Sequence, residues 1–295
     1  MTIRINHQLR GAGVALVTPF LPSGAVDYPG LASLLEHTGP HVDYWVLHGT
    51  TGEPVTTSLS EKAAICAFVR QHNPRQLPLV YGLGGNYTAQ LVQTLQEIDL
   101  TGCCAVLSVS PYYNKPSPEG IYRHYMAVAD ASPLPVLLYN VPGRTGSNMS
   151  ASLTLRLAQH PNIAGIKEAS GDLTQAMRIA KAMPSDFLLI SGDDLLALPM
   201  MSFGASGAIS VLANAFPQDF SAMLQLAGQG QFGEAAQRLF KFTEINDLMY
   251  AEGNPVGLKS ALAQLGVCGA GVRAPHAEAS AELQQAIGQA MIGLK

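Results

Sequence analysis

The chain has 295 residues, a formal charge of −4 from 17 basic and 21 acidic side chains, 47% hydrophobic residues and only 13% charged ones. That balance excludes intrinsic disorder, which needs few apolar and many charged residues. The basic residues form no Lys/Arg stripe and no apolar run approaches the ~18 residues of a membrane span, so neither nucleic acid nor a membrane is an expected partner.

Met1–Asn6 shows neither a signal-peptide core nor an Arg-rich transit character. The four cysteines, at 66, 103, 104 and 268, contain no C-x-x-C pair. They read as reduced core thiols of a cytoplasmic protein.

Eight short apolar runs follow one another, beginning near Gly13, Val42, Leu79, Cys103, Pro135, Ile163, Phe187 and Gly207. Continuous rather than alternating apolar runs predict strands buried on both faces, the habit of a parallel sheet. Each interval between runs has room for a crossover helix. Asp27 ahead of Tyr28-Pro29, the capping box Ser58-Leu59-Ser60-Glu61, and Ser117-Pro118-Glu119 mark helix starts. Eight βα units predict a closed (β/α)8 TIM barrel over residues 1–215. After Val211 the pattern becomes wholly helical, in segments near Pro217–Gln229, Phe232–Tyr250, Pro255–Leu265 and Ala277–Ile292. They predict a C-terminal helical extension, residues 216–295, packed on the barrel. The same alternation permits an open doubly wound sheet. Gly82-Leu83-Gly84-Gly85-Asn86, however, lacks the third glycine of a dinucleotide fingerprint and does not open the first βα unit. It reads as a tight turn.

A barrel of this kind works at the C-terminal ends of its strands. Lys167 emerges there by elimination: Lys62, Lys181, Lys241 and Lys259 fall in helical segments, Lys295 is terminal and Lys115 lies in a polar loop. Only Lys167 closes an apolar strand. A buried amine without a counter-charge favours its neutral form, the nucleophile that makes a Schiff base with a carbonyl. The competing reading is an ion pair with Glu168 or Asp193, though Glu168 faces the other side of the strand. Tyr139 ends the preceding strand and suits proton shuttling, or a plain interface aromatic. Thr50 and Thr51, in a Gly-flanked turn, can hold a small carboxylate. Arg144 offers a planar fork for a second carboxylate, or anchors its own loop. No metal spacing is legible: Gly39-Pro40 separates His37 from His41. No nucleophile elbow or phosphate loop appears, and the cysteines are explained by packing.

Gly49-Thr50-Thr51-Gly52-Glu53, Pro111 to Pro116 (PYYNKP), Tyr139 to Gly146 (YNVPGRTG), Gly165-Ile166-Lys167-Glu168-Ala169 and Ser191-Gly192-Asp193-Asp194 resemble, in order and spacing, the dihydrodipicolinate synthase family. The resemblance covers essentially the whole chain. It implies a class I aldolase without metal or other cofactor that condenses pyruvate with L-aspartate 4-semialdehyde, the first committed step of lysine and diaminopimelate biosynthesis. It further implies an imine on Lys167, a proton relay of Thr50, Tyr139 and Tyr113, with Tyr113 reaching a neighbouring subunit's site, and a homotetramer built as a dimer of dimers. Thr51 and the Ile209 backbone would hold pyruvate, Gly192 would line the pocket, and Arg144 would bind the aldehyde's carboxylate. N-acetylneuraminate lyases and 2-keto-3-deoxy sugar-acid aldolases share the lysine, tyrosine and Gly-Thr-Thr features and generally lack the arginine. A catalytically silent keto-acid sensor is the reading from a different class. Feedback-inhibited members commonly carry a histidine and a glutamate near the positions of Leu59 and Gln90; Asn86 and Tyr112 are kept here. Loss of the acidic partner predicts weak lysine feedback.

Overall fold

The computed structural model describes residues 7–294; Met1–Asn6, where a leader would begin, and the terminal Lys295 lie outside the described residues. The apolar runs become β1 (Gly11–Ala15), β2 (Tyr44–Leu47), β3 (Leu79–Gly82), β4 (Cys103–Val109), β5 (Val136–Asn140), β6 (Ile163–Glu168), β7 (Leu188–Ser191) and β8 (Gly207–Ser210). They close in sequence order as one parallel barrel. β2, β3, β5, β7 and β8 are buried at every residue. This explains why they lack the alternation of a half-exposed strand.

One register shift orients two side chains. Val136 pairs with Ile163, but the next residue, Leu137, pairs with Gly165, so Ala164 is an extra residue in β6. Without it Tyr139 would face Ile166. With it Tyr139 pairs with Lys167. A one-residue slip turns every side chain to the other face, so this bulge decides that the tyrosine and the lysine share a face.

The helix starts follow their caps. Asp27 accepts from Gly30 N at 3.0 Å ahead of Tyr28–Thr38. Both halves of the capping box form at Leu59–Gln71, Glu61 N to Ser58 Oγ at 3.2 Å and Ser58 N to Glu61 Oε2 at 2.8 Å. Ser117 caps Pro118–Ala131 through Gly120 N. The C-terminal helices are Pro217–Gly228, Phe232–Phe240, Thr243–Tyr250, Val256–Gln264 and Ala281–Ile292. The single helix expected over Phe232–Tyr250 is thus two. The chain breaks at Lys241-Phe242, and the buried Phe242 ring packs 5.9 Å from Phe216 and 6.1 Å from Phe220. The last helix starts at Ala281 because Ser280 is its cap, held in turn by Glu252.

Residue packing gathers Gly11–Leu77 with the described part of Ser210–Lys295 into one compact unit, and Pro78–Ile209 with the described part of Met1–Arg10 into another. The first is centred on Trp45, Phe20, Phe220 and Phe242; the second holds Tyr125, Val136, Leu137 and Leu189. Each fully buried side chain of this size contributes roughly 1.5–3 kcal/mol.

Candidate active site

In the unit formed by Pro78–Ile209, Lys167 is 5% exposed, and its Nζ lies 4.6 Å from the centroid of the Tyr139 ring. That distance is within cation–π range. Gly192, which follows β7, leaves the space the lysine stem uses. A Cβ there would come 2.9 Å from Lys167 Cε and 2.6 Å from Ala169 Cβ.

Glu168 and Asp193, the candidate ion-pair partners of Lys167, are engaged elsewhere. Glu168 accepts from Asn140 Nδ2 at 3.1 Å, Gln175 Nε2 at 3.1 Å and Ser170 N at 2.7 Å. Asp193 accepts from Leu195 N at 3.0 Å and Leu196 N at 3.1 Å. Among the described residues Lys167 takes part in no ion pair.

Two further sequence candidates of this unit stand just beyond strand ends. Tyr113 follows β4, is 88% exposed and has φ 72°. A bulky residue in the left-handed region costs about 1–3 kcal/mol unless its surroundings hold it. Asn86 Nδ2 donates to Tyr112 O at 3.2 Å, and Asn114 Nδ2 donates to Asn86 O at 2.9 Å, which pins this loop. Arg144 lies in a short helix, Pro142–Thr145, that follows β5. It is exposed, and its side chain makes no hydrogen bond or ion pair to any described residue, so the guanidinium does not anchor its loop. Ile209 is buried within β8.

In the other unit, Thr50–Gly52 is a 3-10 turn closed by Gly52 N to Gly49 O at 2.8 Å and Glu53 N to Thr50 O at 3.1 Å. Thr51 is buried, and its Oγ1 accepts from Asn254 Nδ2 at 3.1 Å. Glu53, at φ 52°, ends the turn in the left-handed region. Its carboxylate meets Lys259 Nζ at 2.5 Å and accepts from Arg273 N at 3.1 Å. Lys259 is 0% exposed and also donates to Gly271 O at 2.8 Å. Burial draws its pKa down against the opposing pull of Glu53.

Sequence reasoning missed this second buried lysine by leaving it in a helical segment. The signal was present: Val256–Leu262 is buried at every residue, and an apolar-all-round helix is a buried helix. Asn254 and the pairing of Glu53 had no local signal.

All four cysteines are free. Burial pushes the Cys104 and Cys268 thiols up to about 11, which leaves little thiolate to attack a substrate. Among the described residues no group of three His, Cys, Asp or Glu is placed to hold a metal ion, and no helix is long and apolar enough to cross a membrane.

A closed parallel barrel with a buried lysine against a tyrosine at neighbouring strand ends, and a Thr-Thr turn after another strand, defines the class: a (β/α)8-barrel enzyme acting on small molecules. A sequence model of the dihydrodipicolinate synthetase family matches residues 8–292. The chain belongs to that family. It is 52% identical over 287 residues to the 4-hydroxy-tetrahydrodipicolinate synthase of Cytophaga hutchinsonii, covering 97% of each chain. It is 46% identical over 275 residues to the enzyme of that name from Flavobacterium psychrophilum, covering 92% of this chain and 94% of the relative. The crystal structure of the dihydrodipicolinate synthase from Acinetobacter baumannii complexed with pyruvate is 35% identical. It superposes with a TM-score of 0.93 over 97% of this chain and 98% of that one.

Proposed function

We propose that the chain is a Schiff-base lyase that condenses pyruvate with L-aspartate 4-semialdehyde to 4-hydroxy-tetrahydrodipicolinate. The observation that carries this reading is Lys167: a buried amine with no carboxylate partner, set against Tyr139 by the β6 bulge. The amine of Lys167 adds to the keto carbon of pyruvate and water leaves, giving an imine. Loss of a methyl proton gives an enamine, whose carbon attacks the aldehyde. The substrate's own amine then displaces Lys167 and closes the ring. The imine itself is the electron sink, so the reaction needs no cofactor.

Thr50, Tyr139 and Tyr113 relay the protons. Thr51 and the Ile209 backbone hold pyruvate, Gly192 lines the pocket, and Arg144 receives the aldehyde's carboxylate. The 88% exposure of Tyr113 supports action in a neighbouring subunit of a homotetramer, because its phenol is held out of its own chain on a loop fixed by Asn86 and Asn114. A cytoplasmic location goes with this biosynthetic role.

Arg144 favours this reading over a sugar-acid aldolase. An exposed guanidinium with no protein partner is poised for an anion, whereas a sugar chain needs hydroxyl partners. Borohydride reduction in the presence of pyruvate, followed by peptide mapping, tests the proposal. One adduct per chain on Lys167 is expected. An adduct on Lys115 or Lys259, or none, overturns it, and preferential cleavage of N-acetylneuraminate would move the chain to the lyase branch.

A further inference from the structure

We propose that Asn254 and Lys259 are positioning residues for the keto acid's carboxylate: Asn254 fixes the Thr51 hydroxyl as a donor, and Lys259 fixes the turn that carries it. This rests on the reading of Thr51 as a pyruvate contact. A carboxylate only accepts hydrogen bonds, so a hydroxyl serves it only when its own proton is free to point there. Asn254 Nδ2 donates to Thr51 Oγ1 at 3.1 Å. That fills an acceptor site on the oxygen and directs the hydroxyl proton elsewhere.

Asn254 is 5% exposed, and its own Oδ1 has no hydrogen-bond partner among the described residues. A buried acceptor left unmet is unfavourable, and packing alone would be served by an apolar side chain of similar size. An unmet polar atom beside a substrate contact is characteristic of a functional site.

Lys259 acts at the other end of the same turn. Glu53 ends the turn with φ 52° and is fastened by Lys259 Nζ at 2.5 Å and Arg273 N at 3.1 Å. Lys259 is in turn fixed by Gly271 O at 2.8 Å and lies 4.3 Å from the centroid of the Phe20 ring. A buried ion pair contributes little net stability compared with well-packed apolar residues, and its best-attested use is to set a register. Here the register set is that of the Thr50–Glu53 backbone.

Steady-state kinetics and thermal melting of Asn254→Ala, Asn254→Asp and the double variant Glu53→Gln/Lys259→Met test the proposal, the double variant leaving no uncompensated buried charge. The expected result is a pyruvate KM raised about tenfold in Asn254→Ala. It should rise further in Asn254→Asp, whose carboxylate would capture the Thr51 proton. The double variant should show about a tenfold rise. In the two Asn254 variants, kcat at saturating pyruvate and the KM for aspartate semialdehyde should stay within about twofold of the parent, whereas the double variant, which frees the turn that also carries Thr50, should lower kcat as well. A lowered melting temperature with an unchanged pyruvate KM would show a merely structural role and overturn the proposal, as would equal KM values for Asn254→Ala and Asn254→Asp. Failure of the parent protein itself to be trapped by borohydride with pyruvate would instead overturn the underlying functional reading.

Discussion

Two lysines are withdrawn from solvent, Lys167 at 5% and Lys259 at 0% exposure, and their surroundings have little in common. Around Lys259 charges are matched by charges. Glu53 pairs with it, Glu61 pairs with Arg273, and the Phe20 ring lies 4.3 Å from each cation. Around Lys167 the neighbouring carboxylate, Glu168, is satisfied by amides and a backbone N–H, and the lysine is left beside an aromatic face. Burying an ion is costly in either place. A counter-ion offsets that cost and removes the amine from chemistry; withholding the counter-ion keeps the amine available. Burial therefore does not identify a reactive lysine; what surrounds the amine does.

The strongest way to break this contrast is to delete each charge. Lys259→Met strands the Glu53 carboxylate in the interior and should cost about 3–5 kcal/mol of stability, most of it recovered by adding Glu53→Gln. Lys167→Met should abolish activity while keeping the parent's stability or raising it. Denaturant midpoints beside turnover measure both, and equal stability losses would remove the distinction.

Arg144 sharpens the contrast from outside, as a cation left unpaired in solvent. Arg144→Ala should cost about 1.5–3 kcal/mol, or roughly tenfold to more than a hundredfold in kcat/KM for aspartate semialdehyde. Borohydride trapping of pyruvate should continue at the parent's rate; if it collapses, Arg144 organises the lysine instead.

The smallest effect concerns Glu61. The Arg273 guanidinium, helped by Ser58 N, holds its carboxyl down at about 2. A carboxyl lowered by folding adds stability that is complete above its unfolded value near 4.5 and lost as pH falls from there towards 2. The pair is partly solvent-screened, so its share should be under about 1 kcal/mol. Glu61→Gln should lower stability near neutrality by that amount and flatten the acid limb below pH 4.5, so that variant and parent converge towards pH 2. An unchanged acid limb would show that Arg273 serves only Thr56 O and Gly24 O.

Much of the fold was legible in the sequence, and the reason is local. The eight strands announced themselves because most of their residues are buried on both faces, and Ser58, Asp27 and Ser117 marked helix starts through bonds to residues three positions away. Lys167 stood out because it closes such a strand. What stayed hidden depends on distance or on a single inserted residue. Nothing in Ile163-Ala164-Gly165 declares which residue is the extra one. Phe232–Tyr250 keeps a helical period across a break that only the docking of Phe242 explains. Asn254, ahead of a proline, reads as an ordinary turn residue, and its partner lies 203 positions earlier.

That distance has a consequence for how the protein is made. Glu53 and Lys259 are separated by 206 residues. At translation speeds of 5–20 residues per second the turn holding Thr50 and Thr51 waits roughly 10–40 s for its partners to be synthesised. Through that interval a nascent chain can pair early strands while Glu53 remains in water, since contacts so far apart in sequence form only after their loop has closed. Residues made late, Asn254 to Arg273, thus complete a turn made early, the one after β2. A ribosome stalled short of Asn254 would display strands and helices, but a Thr50–Glu53 turn still without the side chains that fasten it.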